Sequence, residues 1–147
     1  MSMKDSKVME ERIRRVRVLF KELGYKLHQT ERSDDIYSAG FENDQGMQGG
    51  FFIDRSSRFV EIAYTFSFSP AMAEYVKTRL EDMLKISYEY GCYINLQTTE
   101  EEIAFSVFTK LYYTGLSYYS LKDSLREFSL CVHALTELLE IGGNGPA

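Results

Sequence analysis

The sequence predicts an α+β fold in the element order α-β-β-β-α-β-β-α, an antiparallel sheet with helices packed on it. Two observations carry this. Three long segments space their apolar residues with helical period, and five shorter ones alternate apolar and polar residues. The alternating segments are also joined by short links rich in turn residues, which suit antiparallel hairpins better than crossovers.

The first helix is expected over residues 6–23, where Val8, Ile13, Val16, Leu19, Phe20 and Leu23 fall near one face. Asp5 or Ser6 can cap it, and Gly24 stands where a left-handed residue ends a helix. Residues 26–35 read as a polar connection, with room for a short extended piece near Tyr25–Leu27. Tyr37, Ala39 and Phe41 then alternate with small or polar neighbours, and Asn43-Asp44-Gln45-Gly46 is turn chemistry. Phe51 and Ile53 mark a second strand, and Asp54 to Ser57 a second turn. In the third strand Val60, Ile62, Tyr64, Phe66 and Phe68 point one way. Short links make these three strands a meander.

Ser69-Pro70 opens the second helix, with serine as N-cap and proline at the first helical position, where no N–H partner is needed. Met72, Val76, Leu80, Met83 and Leu84 form its expected core stripe, and Gly91 ends it. Cys92, Ile94 and Leu96 define the fourth strand; Ile103, Phe105, Val107 and Leu111 define the fifth. Ser120 is the expected cap of the last helix, whose face is Leu121, Leu125, Phe128, Val132, Leu135 and Leu139. The tail, residues 142–147, is expected to be disordered, which leaves residues 1–141 as a single domain.

Composition narrows the class. A chain of 147 residues with 44% hydrophobic and 27% charged content buries a real core. No run approaches the roughly 18 apolar residues of a membrane span. The charged N-terminus is unlike a signal peptide, so a cytoplasmic protein is expected. Cys92 and Cys131 are far apart in sequence with no metal or CxxC spacing, and read as two buried reduced thiols. The net charge is −5: residues 1–32 carry nine Lys/Arg against five Asp/Glu, and the remainder eight against seventeen. An acidic body argues against duplex nucleic acid as the ligand.

The meander ending FVEIAYTFSFSP, the helix AEYVKTRLEDMLKISYEYG and the hairpin beginning CYINLQTTEEEIAFSVF together resemble the type III secretion chaperone-like fold. In detail they look most like its YbjN branch, a family of proposed bacterial sensory-transduction regulators. The likeness covers about residues 36–139 and is one of pattern. It implies one sheet with helices packed on it and frequent homodimers, and it supplies no catalytic residue.

Chemistry-bearing constellations are absent from the pattern. His28 sits in a polar link; His133 lies two residues from Cys131, a spacing that points the pair apart on a helix, so no metal site is expected. No GxSxG occurs, and the serines fall in turns and caps. Gly46 to Gly50 lacks GK[ST] and leads into a strand, so it reads as hairpin flexibility rather than a phosphate cradle. Glu100, Glu101, Glu102, Asp34 and Asp35 read as solvated acids. No cofactor and no catalysis are expected.

Two features are left over. Arg14, Arg17 and Lys21 share one face of the first helix, either solvated or a docking surface for an acidic partner or anionic lipid. Tyr93, Phe108, Tyr112, Tyr113, Tyr118 and Tyr119 are an aromatic surplus, with Tyr93 and Phe108 opposite the core letters of their strands. Tyrosine suits interfaces, being apolar in body and polar at its tip. The sequence therefore points to a non-enzymatic protein-binding module, chaperone-like or a regulatory adaptor, acting as a homodimer with an unidentified protein partner. The alternative is a small-ligand sensor or enzyme with an aromatic-lined pocket.

Overall fold

A computed structural model describes residues 3–144, with side chains placed over 6–139. The fold is α+β: six antiparallel strands in one open sheet, in the order β1-β2-β3-β4-β6-β5, with four helices. Packing divides the chain into two compact units, one of residues 1–63 and 110–124, the other of 64–109 and 125–147.

In the first unit, α1 (Met3–Glu22) buries Met9, Ile13, Val16 and Phe20, steps of four, three and four that keep one face inward. Val8, expected in that stripe, is exposed, because the inward face is one residue out of phase with it. Gly24 ends the helix at φ +92, and Tyr25 N–H closes back on Phe20 O at 3.0 Å. The polar connection expected next is instead a strand, β1 (Lys26–Arg32), paired antiparallel with β2 (Ile36–Glu42). Only Leu27 in it is not exposed, so no hydrophobic alternation announces it. It is held by its ladder at the margin of the sheet. Its register shifts between His28 and Glu31, around Gln29 at φ +49.

β2 and β3 (Gln48–Asp54) follow the expected meander, with Tyr37 opposite Ile53 and Ala39 opposite Phe51. Their buried rings meet α1: Phe20 lies 4.9 Å from Phe41 and 4.8 Å from Phe51, centroid to centroid. Asn43 Oδ1 accepts from Gln45 and Met47 N–H, which closes the hairpin. The glycine run serves that sheet: a Cβ on Gly49 would lie 2.8 Å from Phe41 Cζ and 2.9 Å from Ala63 O.

α4 (Tyr118–Asn144) starts in this unit. Its cap is Ser117 rather than Ser120. Ser117 Oγ accepts from Ser120 N–H at 3.1 Å, and Ser120 Oγ accepts from Ser117 N–H at 2.8 Å, a reciprocal capping pair. The helix continues to Asn144, so the tail expected from 142 falls partly on helix; residues 145–147 lie outside the described residues.

β4 (Phe59–Phe68) begins in the first unit and ends in the second, where it gives way to a 3-10 turn at Pro70–Met72, capped by Ser69 as expected. The single helix foreseen here is two, α2 (Ala73–Thr78) and α3 (Leu80–Glu89). Tyr75 O, which helix geometry offers to Arg79 N–H, is taken by Thr78 Oγ1 and Arg79 Nη1, both at 2.9 Å. Arg79 N–H turns to Val76 O at 3.1 Å, and the guanidinium lies 3.5 Å over the Tyr75 ring. Val76 and Met83 are buried. Gly91 stops α3's chain at φ +69. β5 (Tyr93–Thr98) and β6 (Ile103–Tyr112) then form a regular hairpin. The core of this unit is Ile103, Phe105 and Val107 with Leu125, Phe128, Cys131 and Leu135 of α4.

Candidate protein-docking site

In the second unit, α3 and β5 leave a groove between them of about 740 Å³, lined by Glu81, Leu84, Lys85, Ser87, Tyr88, Cys92, Tyr93 and Ile94. Two sequence expectations fail here together. Leu84 was placed in the core stripe, yet it is 51% exposed. Leu96 was assigned to a core face with Cys92 and Ile94, yet it is 37% exposed. Both follow from β5 being the last strand of the sheet, so nothing among the described residues lies beyond it to cover them. Tyr88, one helical turn after Leu84, is 88% exposed, and Tyr93 is 54% exposed. Helical spacing of four puts Leu84 and Tyr88 on one ridge above the groove.

Tyr93 does face away from the core letters, as expected, and Phe108 stands directly opposite it across the hairpin. Phe108 is half-buried. The groove wall nonetheless takes in Tyr93, Cys92 and Ile94 together, so it follows the strand's edge rather than one face. The phase of the β5 ladder identifies what that edge offers. Thr99 N–H donates to Glu102 O at 2.9 Å across the turn. Antiparallel pairs alternate between hydrogen-bonded and non-hydrogen-bonded, so Gln97, Asn95 and Tyr93 bond to β6, and Ile94, Leu96 and Thr98 turn their N–H and C=O outward.

The polar groups of the groove are engaged. Ser87 is buried and donates to Met83 O at 2.8 Å. Lys85 lies 3.5 Å from Glu81. The Cys92 thiol, free and buried, donates to Tyr90 O at 3.7 Å, and the neighbouring Cys131 thiol of α4 together with burial raises its pKa. Spacing alone gave no hint that these two cysteines, 39 positions apart in the numbering, would meet.

The other candidate residues lie in the first unit and do not converge. Tyr112 and Tyr119 are exposed; Tyr112 packs edge-on to Phe59 at 5.6 Å, and Tyr118 edge-on to Tyr119 at 5.3 Å. Tyr113 is structural: Arg12 lies 4.3 Å over its ring, its N–H donates to Arg58 O, and its hydroxyl is buried without a partner. Burial pushes its pKa up to about 12, against the pull of Arg12. Arg15 donates to Leu116 O and Arg12 to Ser57 O, so these arginines bind their own unit. Arg14 pairs with Glu11, which raises the arginine's pKa and lowers the carboxylate's. Arg17 is half-buried and Lys21 exposed. His133 meets Glu137 at 3.1 Å on the surface. No group of three or more metal-ligating side chains occurs among the described residues, and no described helix is long and apolar enough to cross a membrane.

No protein-family model matches the sequence, and no curated protein does. Two solved structures share its fold. An uncharacterized protein from Methanothermobacter thermautotrophicus superposes with a TM-score of 0.66 at 14% identity, covering 89% of this chain and 96% of that one. YbjN, a candidate transcription regulator from E. coli, superposes with a TM-score of 0.59 at 13% identity, covering 90% and 93%. At these identities the likeness speaks for architecture alone: the chain has a YbjN-like α+β fold.

Proposed function

We propose that this chain is a non-enzymatic protein-binding module, chaperone-like or a regulatory adaptor, that works in the cytoplasm as a homodimer. The observation that carries the reading is the α3–β5 seat, where Leu84, Tyr88, Tyr93 and Leu96 are all exposed beside an open strand edge. Soluble chains keep contiguous apolar patches small unless a partner covers them. An apolar wall next to unpaired backbone groups suits a polypeptide, which supplies both side chains and a main chain. The regulator description belongs to YbjN; a regulatory role here would run through protein contacts, because a net charge of −5 opposes direct binding to duplex DNA. The homodimer draws on the further exposed rings outside the seat, Tyr112 and Tyr119.

A small-ligand sensor is the second reading, and the groove volume of about 740 Å³ favours it. Against it, Ser87, Glu81 and Lys85 are already bonded within the groove, so few polar groups converge on its space. Two measurements test the proposal. Sedimentation velocity at micromolar concentration should return twice the 17.1 kDa chain mass. Partners recovered from the native host by the wild type should be lost with Leu84→Asp/Tyr88→Asp while thermal unfolding is unchanged. A monomer whose bound proteins ignore that double variant would refute the module.

A further inference from the structure

The two ends of the sheet differ in how they are guarded. β1, at one end, has charged Lys26, Glu31 and Arg32 and a break in register at Gln29. Those are devices that stop an edge strand from accepting another strand. β5, at the other end, reads Tyr-Ile-Asn-Leu-Gln-Thr, with no charge, no proline, no glycine and an unbroken register. It therefore keeps an edge that a second strand can pair with.

We infer that this edge takes an extended, basic polypeptide segment, which adds to β5 as an edge strand and lays alternate apolar side chains into the α3–β5 groove. The inference rests on the protein-binding reading and specifies its partner. The backbone pairing follows from the outward N–H and C=O groups of Ile94, Leu96 and Thr98. Alternation follows from strand geometry: every second side chain of the incoming strand faces Leu84 and Tyr88. The sign of the partner's charge follows from the surroundings. From Leu80 to Glu102 the chain carries six carboxylates, at 81, 82, 89, 100, 101 and 102, against the single ammonium of Lys85. Lys85 is itself matched to Glu81. Glu102 accepts from Ser67. A second copy of this chain would bring the same excess of negative charge to the same edge, which like-charge repulsion opposes.

A random peptide library panned on the full chain tests this without presupposing a partner. Enriched sequences should carry net positive charge with alternating apolar residues. The strongest synthetic peptide, followed by fluorescence anisotropy, should bind more weakly as salt rises. Leu96→Pro removes one outward N–H and leaves the β6 ladder intact, and should weaken that peptide about 3- to 10-fold. Leu96→Ala, which keeps the donor, separates this from loss of the side chain. Thr98→Pro repeats the test at the strand end should Leu96→Pro fail to fold. Glu81→Gln/Glu101→Gln/Glu102→Gln should weaken binding and flatten its salt dependence. Enrichment of neutral or acidic peptides that still lose affinity with Leu84→Asp/Tyr88→Asp would overturn the basic partner and leave the binding reading standing. Enriched peptides indifferent to both the proline and the aspartate variants would overturn both. Concentration-dependent protection of the Ile94, Leu96 and Thr98 amides without peptide would make a second copy the occupant and overturn the inference alone.

Discussion

Replacing Tyr88 and Tyr93 with serine removes the two most exposed rings of the α3–β5 seat. A tyrosine carries roughly 200 Å² of surface, so at 88% and 54% exposure the pair presents about 280 Å² to solvent. Complete burial at roughly 25 cal/mol per Å² would be worth about 7 kcal/mol. Interfaces return only part of such area as affinity, because ordering and desolvation offset the rest. A loss of about 2–3 kcal/mol is therefore expected, or about 30- to 140-fold in association. Folding should barely register the change, since exposed substitutions usually lie within about 0.5 kcal/mol. At position 88, in α3, tyrosine and serine also have similar helix propensities. The assay is partner or selected-peptide binding by anisotropy, with thermal unfolding measured on the same preparations. Unchanged affinity, or a protein that unfolds more readily by more than about 1 kcal/mol, would show that these rings serve the fold and not a partner.

Three further outcomes follow from the geometry. Tyr113, with a folded pKa raised to about 12, stays protonated after an unfolded tyrosine has ionised; its stabilising contribution is complete below about pH 10 and is lost as pH rises through about 12. A phenolate absorbance titration should show a late step that Tyr113→Phe removes, and Arg12→Gln should move that step later still; a high-pH titration unchanged by Tyr113→Phe would contradict this. Cys92, its thiol pKa raised by the neighbouring Cys131 thiol and by burial, should resist maleimide in the native chain, with both cysteines labelled in denaturant. Rapid native labelling of Cys92 would argue that the hydrogen-bonded, buried arrangement is wrong. Ser117→Ala should lower stability by about 1 kcal/mol through loss of the α4 cap, a fall in Tm of roughly 3–5 °C; a smaller effect than that of Ser120→Ala would return the cap to Ser120.

The parts of this fold that were legible in the sequence are those where one face is buried and the other wet. β2, β3 and the start of β4 alternate because Tyr37, Phe41, Phe51 and Ile62 point into a core, and periodicity reports that directly. β1 was missed for the opposite reason: its residues are almost all exposed, so only its ladder with β2 makes it a strand. The break at Arg79 was hidden because it depends on a guanidinium competing for Tyr75 O, not on a proline or glycine. The candidate seat between α3 and β5 was half legible. Tyr93 stood out as an aromatic opposite the core letters, but Leu84 and Leu96 were read as core because apolar residues in phase with a buried stripe look the same whether or not anything covers them. Where the sheet ends decides that, and strand order is not written in local sequence. Arg14, Arg17 and Lys21 were legible as one side of α1 by spacing alone, but the match of Arg14 to Glu11 was not singled out from the sequence.

Amide hydrogen exchange along β5, with the chain alone and then saturated with a selected peptide, tests the docking edge most directly. Ile94, Leu96 and Thr98 should exchange quickly in the free chain and slow on occupancy. Tyr93, Asn95 and Gln97, already bonded to β6, should be protected in both states. Equal protection along the strand before and after saturation, or slowing confined to another part of the molecule, would contradict the account.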